Sequence, residues 1–361
     1  MKLLRRTGGR TGASCHHGHA IGLDFGATAV RVAVLSFPRH DGTTSIVADQ
    51  LGSMPLRPGT VVNGAVADPA ALTAALKELW RTQDIDCRHV ILGVASPQVQ
   101  VRELQMPDLD PAQRAKALPF QAREVIALPL DQVVLDFAPL GGPAEDTRLV
   151  DGLLVASPRE PVMRAVAAVE AAGLKVARVD LASFGLLRAI AHEGTPLEAV
   201  IDLGAHLTTV VVHQDGVPRL VRTLARGGEE ITRQLAEQLR VEPHEAELIK
   251  RRDGVAADSE TTATLRDLLA PLLTDIRTSI NYFRSSHAGA RIERVSLTGG
   301  TALLPGLADA VATQVGAPTT VTSPGRLLMP SPTPGRPDTD TDPASASASA
   351  LSIGLAMGAA A

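Results

Sequence analysis

Two short segments of the chain place an aspartate two residues before a glycine, with small residues after it. The first runs Asp24-Phe25-Gly26-Ala27-Thr28, and the second runs Asp202-Leu203-Gly204-Ala205, with Thr208 shortly after it. Glycine at such a turn lets successive backbone amides and a threonine hydroxyl point at phosphate oxygens. A carboxylate at a strand end can hold Mg²⁺ through the waters that this cation retains. These residues therefore predict two phosphate-binding loops, each with a carboxylate for a divalent cation.

The same succession of elements follows each loop. Apolar and β-branched residues predict strands at residues 30–37 and 208–213, and an Asp-Gly pair follows each strand, at residues 41–42 and 215–216. Asp-Gly between two apolar runs favours a hairpin turn. A helix is predicted after each hairpin. Because strand, turn, strand and helix recur in both halves, we expect two related lobes that face one nucleotide.

The composition narrows the class of protein. The chain has 361 residues, of which 45% are hydrophobic, which allows two or three domains. A net charge of −4 without a basic stripe disfavours nucleic-acid binding, which requires clustered Lys and Arg. No uncharged apolar run approaches the ~20 residues of a membrane helix, and polar residues follow Arg6 where a signal peptide would be apolar. We therefore expect a cytoplasmic chain that does not itself span the membrane.

A third glycine-rich segment lies near the end of the second half. Leu297-Thr298-Gly299-Gly300-Thr301 follows a predicted strand, and Pro305-Gly306-Leu307 begins a predicted helix. Two adjacent glycines let a flat group lie against bare backbone, and the amide end of a helix favours negative charge. An ordinary turn between a strand and a helix is the alternative interpretation.

Together, the three segments resemble the two phosphate motifs and the adenosine motif of the actin/Hsp70/sugar-kinase superfamily. The resemblance spans most of the chain and implies an α/β, actin-like ATPase fold. Two ribonuclease-H-like lobes would enclose a nucleotide cleft, with an inserted small α+β subdomain in the first lobe and a helical subdomain in the second. The implied ligands are ATP and Mg²⁺. Position 31 departs from the family pattern, because Arg31 stands where Lys is more usual.

The resemblance also assigns roles to individual residues. Asp24 and Asp202 would hold Mg²⁺ through water, and Asp180 and Asp202 are candidates for orienting an attacking water. The residues expected to bind the nucleotide are Asp24, Gly26, Ala27, Thr28, Arg31, Asp202, Gly204, Ala205, Thr208, Gly228, Glu247, Lys250, Gly299, Gly300 and Thr301.

The domain organisation follows from the repeat and from changes in composition. The segment between the halves has no counterpart in the second half, and the Pro-, Ser- and Ala-rich run after Val321 cannot bury enough apolar surface to order itself. The predicted parts are a flexible tail (1–19), a first lobe (20–97 and 178–198), an inserted subdomain (98–177), a second lobe (199–226 and 290–361, with a loose loop at 322–350) and a helical subdomain (227–289).

The insertion distinguishes the families of this superfamily. Residues 121–137 resemble the small subdomain of the PilM family, the cytoplasmic actin-like proteins of type IV pilus assembly, and residues 179–188 and 353–356 agree. The resemblance implies an ATP-binding scaffold at the inner face of the cytoplasmic membrane. A groove beside the small subdomain would hold the N-terminal cytoplasmic segment of a PilN-like bitopic membrane protein, with Phe120, Val134 and Leu135 as candidate neighbours. Other platform proteins, the assembly ATPase and further copies of the chain are additional candidate partners.

Two other functions fit the same lobes. A phosphotransferase, such as a sugar or acid kinase, would need a catalytic carboxylate facing a second substrate, for which Asp180 is the only clear candidate. A cell-division scaffold of the FtsA kind would carry a terminal amphipathic membrane helix, and the final residues contain no basic side chain. For the PilM-like function, ATP hydrolysis is expected to be weak at most, since a bound nucleotide can stabilise a closed conformation by itself.

Overall fold

A computed structural model of the chain describes residues 4–5, 18–40, 43–141, 148–192, 194–195, 197–287, 289–324 and 347–359. Its first half contains β1 (Leu4–Arg5), β2 (His19–Phe25), β3 (Ala29–Ser36), β4 (Arg39–His40), β5 (Thr43–Thr44), β6 (Val47–Pro55), β7 (Val61–Val62), β8 (Ala65–Val66), α1 (Pro69–Thr82), β9 (His89–Val94), β10 (Gln100–Pro107), α2 (Pro111–Ala122), β11 (Val133–Pro139), β12 (Leu149–Pro158) and α3 (Arg159–Ala171).

The remaining elements follow in chain order. They are β13 (Lys175–Leu181), α4 (Ala182–Ile190), β14 (Glu198–Leu203), β15 (Thr208–Gln214), β16 (Val217–Leu224), α5 (Gly228–Leu239), α6 (Pro243–Asp253), α7 (Glu260–Ser286), β17 (Arg294–Thr298), α8 (Leu307–Val315), β18 (Thr319–Val321) and α9 (Ala350–Met357). Short 3₁₀ turns lie at Leu130–Gln132 and Gly300–Leu303.

The two main sheets have the same topology. The first has the strand order β13-β9-β2-β3-β6, with β1 added beside β13, and the second has the order β18-β17-β14-β15-β16. In each sheet the strand before the Asp-x-Gly turn pairs antiparallel with its successor and parallel with the neighbour on its other side. The repeated motif therefore belongs to a repeated fold, and the predicted pair of α/β lobes is confirmed.

The hairpins between the repeated strands are only partly described. Asp215 and Gly216 join β15 to β16 with φ angles of 49° and 79°, the left-handed pair that a tight hairpin requires. This predicted turn is confirmed. The equivalent Asp41-Gly42 lies outside the described residues, as does most of the predicted N-terminal tail.

The insertion forms a three-stranded antiparallel sheet with the order β10-β12-β11, covered by α2. Leu118, Ala122, Phe137 and Leu154 are buried in its small core. Proline usually interrupts a helix, but α2 continues through Pro119 to Ala122. The side chain at 119 is exposed, whereas Leu118 and Ala122 are buried in the insertion's core. Helix α3 packs against α1 in the first-lobe core. The predicted boundary at residue 177 instead assigned α3 to the insertion.

A separate core joins the lobes. Leu186 and Ile190 of α4 and Ile353 of α9 are buried against the inner faces of both sheets, including Leu35 and Val211. The two helices cross so closely that a Cβ at Gly354 would collide with the carbonyl oxygen of Gly185. Within the described residues, no helix has both the length and the apolar stretch needed to cross a bilayer.

The predicted loose loop at 322–350 is described only at its two ends. Ser347 and Ser349 are buried, at 2% and 5% exposure, and Ser347 Oγ accepts a hydrogen bond from the Gly299 amide. Its last four residues are therefore packed structure, in contrast to the prediction. The alternating Ser and Ala suggested disorder, but side chains this small fit between the glycine-rich turn and α9.

Candidate functional site

A cavity of about 310 Å³ lies between the two lobes. Its walls are the β2–β3 turn of the first lobe and, from the second lobe, the β14–β15 turn, the start of α5, one face of α6 and the turn after β17. The predicted site residues that line it are Asp24, Gly26, Ala27, Thr28, Arg31, Asp202, Gly204, Ala205, Gly228, Glu247, Lys250, Gly299, Gly300 and Thr301. The fold thus brings together residues from three separate sequence motifs.

The two Asp-x-Gly turns have the same backbone geometry. The Gly26 amide donates to the Ala29 carbonyl over 3.0 Å, and the Gly204 amide donates to the Leu207 carbonyl over 2.9 Å. In each turn the next two amides, at 27–28 and at 205–206, have no protein acceptor among the described residues. Successive unbonded amides form a concave site for anions. Both turns can therefore receive phosphate oxygens.

Thr208 does not belong to the second turn's phosphate-facing residues. It is fully buried at the start of β15, and its hydroxyl donates to the Arg226 carbonyl over 2.9 Å. Its prediction as a nucleotide ligand was wrong, because the motif was compared by residue type. Counting from each aspartate pairs Thr28 with His206, which lines the cavity and which the sequence analysis missed.

The carboxylates of the two lobes meet inside the cavity. Burial raises the pKa of Asp24 to about 6, against the opposing charge of Arg31. Burial and the nearby charge of Asp24 raise the pKa of Asp202 to about 7, again opposed by Arg31. Two carboxylates placed this way favour a shared proton or a divalent cation, because either relieves their repulsion. The predicted role of this pair in Mg²⁺ binding fits the arrangement.

Arg31 adds positive charge at the first turn. It pairs with Asp24 across the β2–β3 ladder, and its guanidinium lies over Gly26, where an added Cβ would be 3.5 Å from Nη1. No carboxylate of a described residue lies within ion-pair distance of it. Arginine offers a planar fork of donors that matches phosphate geometry. The guanidinium is thus available to an anionic ligand beside the two carboxylates.

A buried lysine organises the opposite wall. Lys250 Nζ donates to the Gly228 carbonyl over 2.9 Å and pairs with Glu247 Oε2 over 2.6 Å. Burial lowers the pKa of Lys250 in spite of this pairing. Burial alone would raise the pKa of Glu247, but hydrogen bonds from Lys250, Thr232 and Arg251 outweigh it and leave the pKa lowered. Because these charges are already paired, the cluster fixes α5 against α6 and presents Glu247 to the cavity.

The turn after β17 leaves room for a flat group. Gly299 has a φ of 89°, and a Cβ there would lie 2.6 Å from Asp202 Oδ1, so only glycine fits. A Cβ at Gly300 would meet open space facing the cavity. Thr301 Oγ1 donates to the Gly204 carbonyl over 3.1 Å and connects this turn to the second phosphate turn. The geometry suits a nucleoside lying on Gly300 with its phosphates directed toward the two turns.

Asp180 does not face the cavity. It lies in β13 and is 1% exposed, and its Oδ2 accepts from Arg188 Nη2 over 2.7 Å. Arg188 in turn donates to the Gly354 carbonyl over 2.8 Å, which ties α4 to α9. The prediction that Asp180 orients an attacking water was wrong, since its carboxylate is committed to an ion pair beneath the interlobe helices.

Comparison with known proteins agrees with this geometry. The family model described as "Type IV pilus assembly protein PilM" matches residues 22–360. The solved structure of a PilM-PilN type IV pilus biogenesis complex is similar with a TM-score of 0.80 and 27% identity, over 97% of this chain and 98% of that one. MreB5 of Spiroplasma citri bound to AMPPNP is similar at a TM-score of 0.54 and 12% identity, over 93% and 94% of the two chains. These matches confirm the predicted actin-like fold.

Among curated proteins, the cell division protein FtsA of Bacillus subtilis is 27% identical over 185 residues. The match covers 47% of this chain and 40% of FtsA, so this chain spans less than half of that relative's length.

Proposed function

Because the chain belongs to the PilM family of type IV pilus assembly proteins, we propose that it binds Mg²⁺-ATP between its lobes and holds a segment of a PilN-like membrane protein beside its inserted subdomain. In this role the chain is a scaffold on the cytoplasmic side of the inner-membrane assembly platform, and the PilN-like partner attaches it to the membrane.

The observation that carries the nucleotide proposal is the meeting of the two Asp-x-Gly turns around one cavity. The amides at 27–28 and 205–206, which have no acceptor in the described part of the chain, and the Arg31 guanidinium would provide donors for phosphate oxygens. Asp24 and Asp202 would hold Mg²⁺ through water, and Gly300 would receive the nucleoside. Bound Mg²⁺ neutralises phosphate charge and orients the phosphate chain.

The nucleotide acts mainly as a structural ligand in this proposal. The ion pair of Asp180 with Arg188 favours Asp202 as the water-orienting candidate. The favoured closed conformation would persist while the nucleotide bridges the lobes. Fast turnover is not required for a scaffold of this kind.

Isothermal titration calorimetry with ATP and Mg²⁺ tests the nucleotide site. We expect wild type to bind and both Asp24→Ala and Gly300→Val to lose at least about tenfold in affinity, since one removes a cation ligand and the other fills the nucleoside space. Asp180→Asn is the matched control, a buried carboxylate of the same lobe outside the cavity, and it should keep wild-type affinity. Unchanged binding in both cavity variants would refute the site.

A second cavity, of about 870 Å³, supports the partner proposal. It lies between the inserted subdomain, α4 and the β15–β16 turn, and its walls include Ala138, Leu153 and Phe184. Apolar walls beside a small sheet suit an extended peptide with alternating apolar side chains. The neighbours suggested by the sequence do not line this cavity. Phe120 is 67% exposed on α2, Val134 is buried, and Leu135 packs on the insertion's own core.

Binding of the partner's segment tests this groove. The probe is a fluorescent peptide of the N-terminal cytoplasmic residues of a PilN-like membrane protein, and its binding is measured by anisotropy. Ala138→Arg should weaken binding because it places a charge and added volume on an apolar wall, whereas the exposed Phe120→Ala should not. Equal affinity for wild type and Ala138→Arg would place the peptide elsewhere.

Helix α9 is not itself suited to be the membrane helix of an FtsA-like scaffold. Ile353, Leu355 and Ala356 are fully buried between the lobes. This helix therefore has no apolar face left for a lipid surface.

A further inference from the structure

At one position that faces the cavity, the two phosphate turns carry side chains of different chemistry. The fourth residue after each aspartate is Thr28 in the first turn and His206 in the second. Each turn has the same hydrogen bond, from the amide of Gly26 or Gly204 to the carbonyl three residues later, so Thr28 and His206 occupy equivalent positions. The second lobe therefore presents an imidazole where the first presents a hydroxyl.

His206 is available to a ligand. It is partly exposed and lines the cavity, and its ring has no hydrogen-bond or ion-pair partner within the part of the chain that the structure describes. Two other polar side chains of this wall are already engaged: Lys250 is held by Gly228 and Glu247, and Thr301 donates to the Gly204 carbonyl. At the tip of the second turn, His206 thus offers a side-chain donor to a ligand.

The surroundings of the turn indicate which end of a nucleotide His206 meets. The beginning of the turn is bonded to the part of the second lobe that would hold the nucleoside. The Gly204 carbonyl accepts from Thr301, and the Ala205 carbonyl accepts from the Glu229 amide. On the other side Leu207 reaches the first lobe, where a Cβ at Gly64 would lie 3.2 Å from Leu207 Cδ1. In the chain, His206 lies between Ala205, which is bonded to α5, and Leu207, which reaches the first lobe.

We propose that His206 donates a hydrogen bond to the terminal phosphate of ATP and thereby makes the cavity select ATP over ADP. This inference rests on the proposed nucleotide function. An imidazole N–H bonded to an ionised phosphate oxygen is a charge-assisted interaction, which is stronger than a bond between neutral groups. ADP lacks the group that this donor contacts, so the same side chain adds little to ADP binding.

The experiment compares ATP and ADP, each with Mg²⁺, by calorimetry. Wild type, His206→Ala and His206→Asn are tested, and Asn retains an N–H donor at this position. We expect His206→Ala to weaken ATP binding roughly tenfold or more while ADP affinity stays within about twofold. His206→Asn should recover part of the ATP affinity. Melting temperatures of the three proteins without nucleotide should agree, because the side chain has no partner among the residues that the structure describes.

Each remaining outcome is decisive. Equal losses for ATP and ADP in His206→Ala, or no loss, would overturn the role of His206. If wild type binds ATP and Asp24→Ala abolishes binding while His206→Ala changes nothing, only this inference fails. If wild type itself does not bind ATP, the proposed function fails and this inference fails with it.

Discussion

The buried carboxylate pair predicts that the binding site destabilises the free protein in a pH-dependent way. The pKa of Asp24 rises from 3.8 in a solvated chain to about 6 in the fold. Between these values the folded protein holds a proton that the unfolded chain has released, so stability falls as pH rises and stays low above pH 6. Replacing Asp24 with Asn removes the buried charge. The variant should therefore be more stable than wild type at neutral and alkaline pH.

The size of the effect follows from the same values. A rise from 3.8 to about 6 corresponds to about 3 kcal/mol at pH 8, and about half of that at pH 5, where the unfolded carboxyl is ionised and the folded one is not. Water in the cavity and movement of Arg31 screen part of the charge. We expect a measured gain for Asp24→Asn of about 1–3 kcal/mol at pH 8.

The assay uses the chain's single tryptophan. Trp80 is 3% exposed in the first-lobe core, so its fluorescence in urea reports the unfolding of the lobe that carries Asp24. Unfolding is followed at pH 5 and pH 8 in a metal chelator, without nucleotide. Asp180→Asn is the control and should lose stability at both pH values, because it weakens the ion pair with Arg188. The reasoning would be refuted if Asp24→Asn did not raise the free energy of unfolding at pH 8, or raised it more at pH 5 than at pH 8.

Three further predictions concern other parts of the molecule. Burial opposes ionisation of Glu198, but hydrogen bonds from His213, Ser296 and His192 outweigh it and lower the pKa from 4.5 to about 2. Glu198→Gln should therefore lower the stability by about 3 kcal/mol at pH 7, and this loss should vanish toward pH 2. Urea titrations followed by circular dichroism measure it. Arg31→Gln should raise the pKa values of Asp24 and Asp202 further, so Mg²⁺-ATP affinity should fall more steeply from pH 8 to pH 7 than in wild type; parallel calorimetric profiles would contradict this. Gly354→Val should lower stability by more than about 3 kcal/mol because its Cβ meets the Gly185 carbonyl, whereas Gly141→Ala, with open space around it, should melt like wild type.

The local chemistry of the turns was predictable from the sequence. Asp24, Gly26, Asp202 and Gly204 all line the cavity because the Asp-x-Gly turn is determined by backbone hydrogen bonds within a few residues. Repetition of the motif also predicted the duplicated sheet topology. The turn depends on contacts within a few residues, and the sheet topology was inferred from the repeat itself, so neither prediction required knowledge of distant contacts.

Residues whose roles depend on distant contacts were harder to predict. Asp180 resembles a catalytic carboxylate, but its side chain meets Arg188, whose position depends on the Gly354 carbonyl 166 residues further along the chain. Thr208 matched by residue type, yet it starts β15 and faces Arg226. His206 could have been found by aligning the two turns position by position. Ser347 could not, since its burial depends on the gap between Gly299 and α9.

The position of α9 has a consequence for how the protein is made. During translation both sheets can form while their inward faces, which include Leu35 and Val211, still lack the helix that covers them. Ribosome-bound chains would thus expose two apolar sheet faces until residues 350–357 emerge. Contacts between α9 and the first-lobe sheet are distant in sequence and therefore form slowly. Newly synthesised chains should therefore depend on chaperones until synthesis has passed α9.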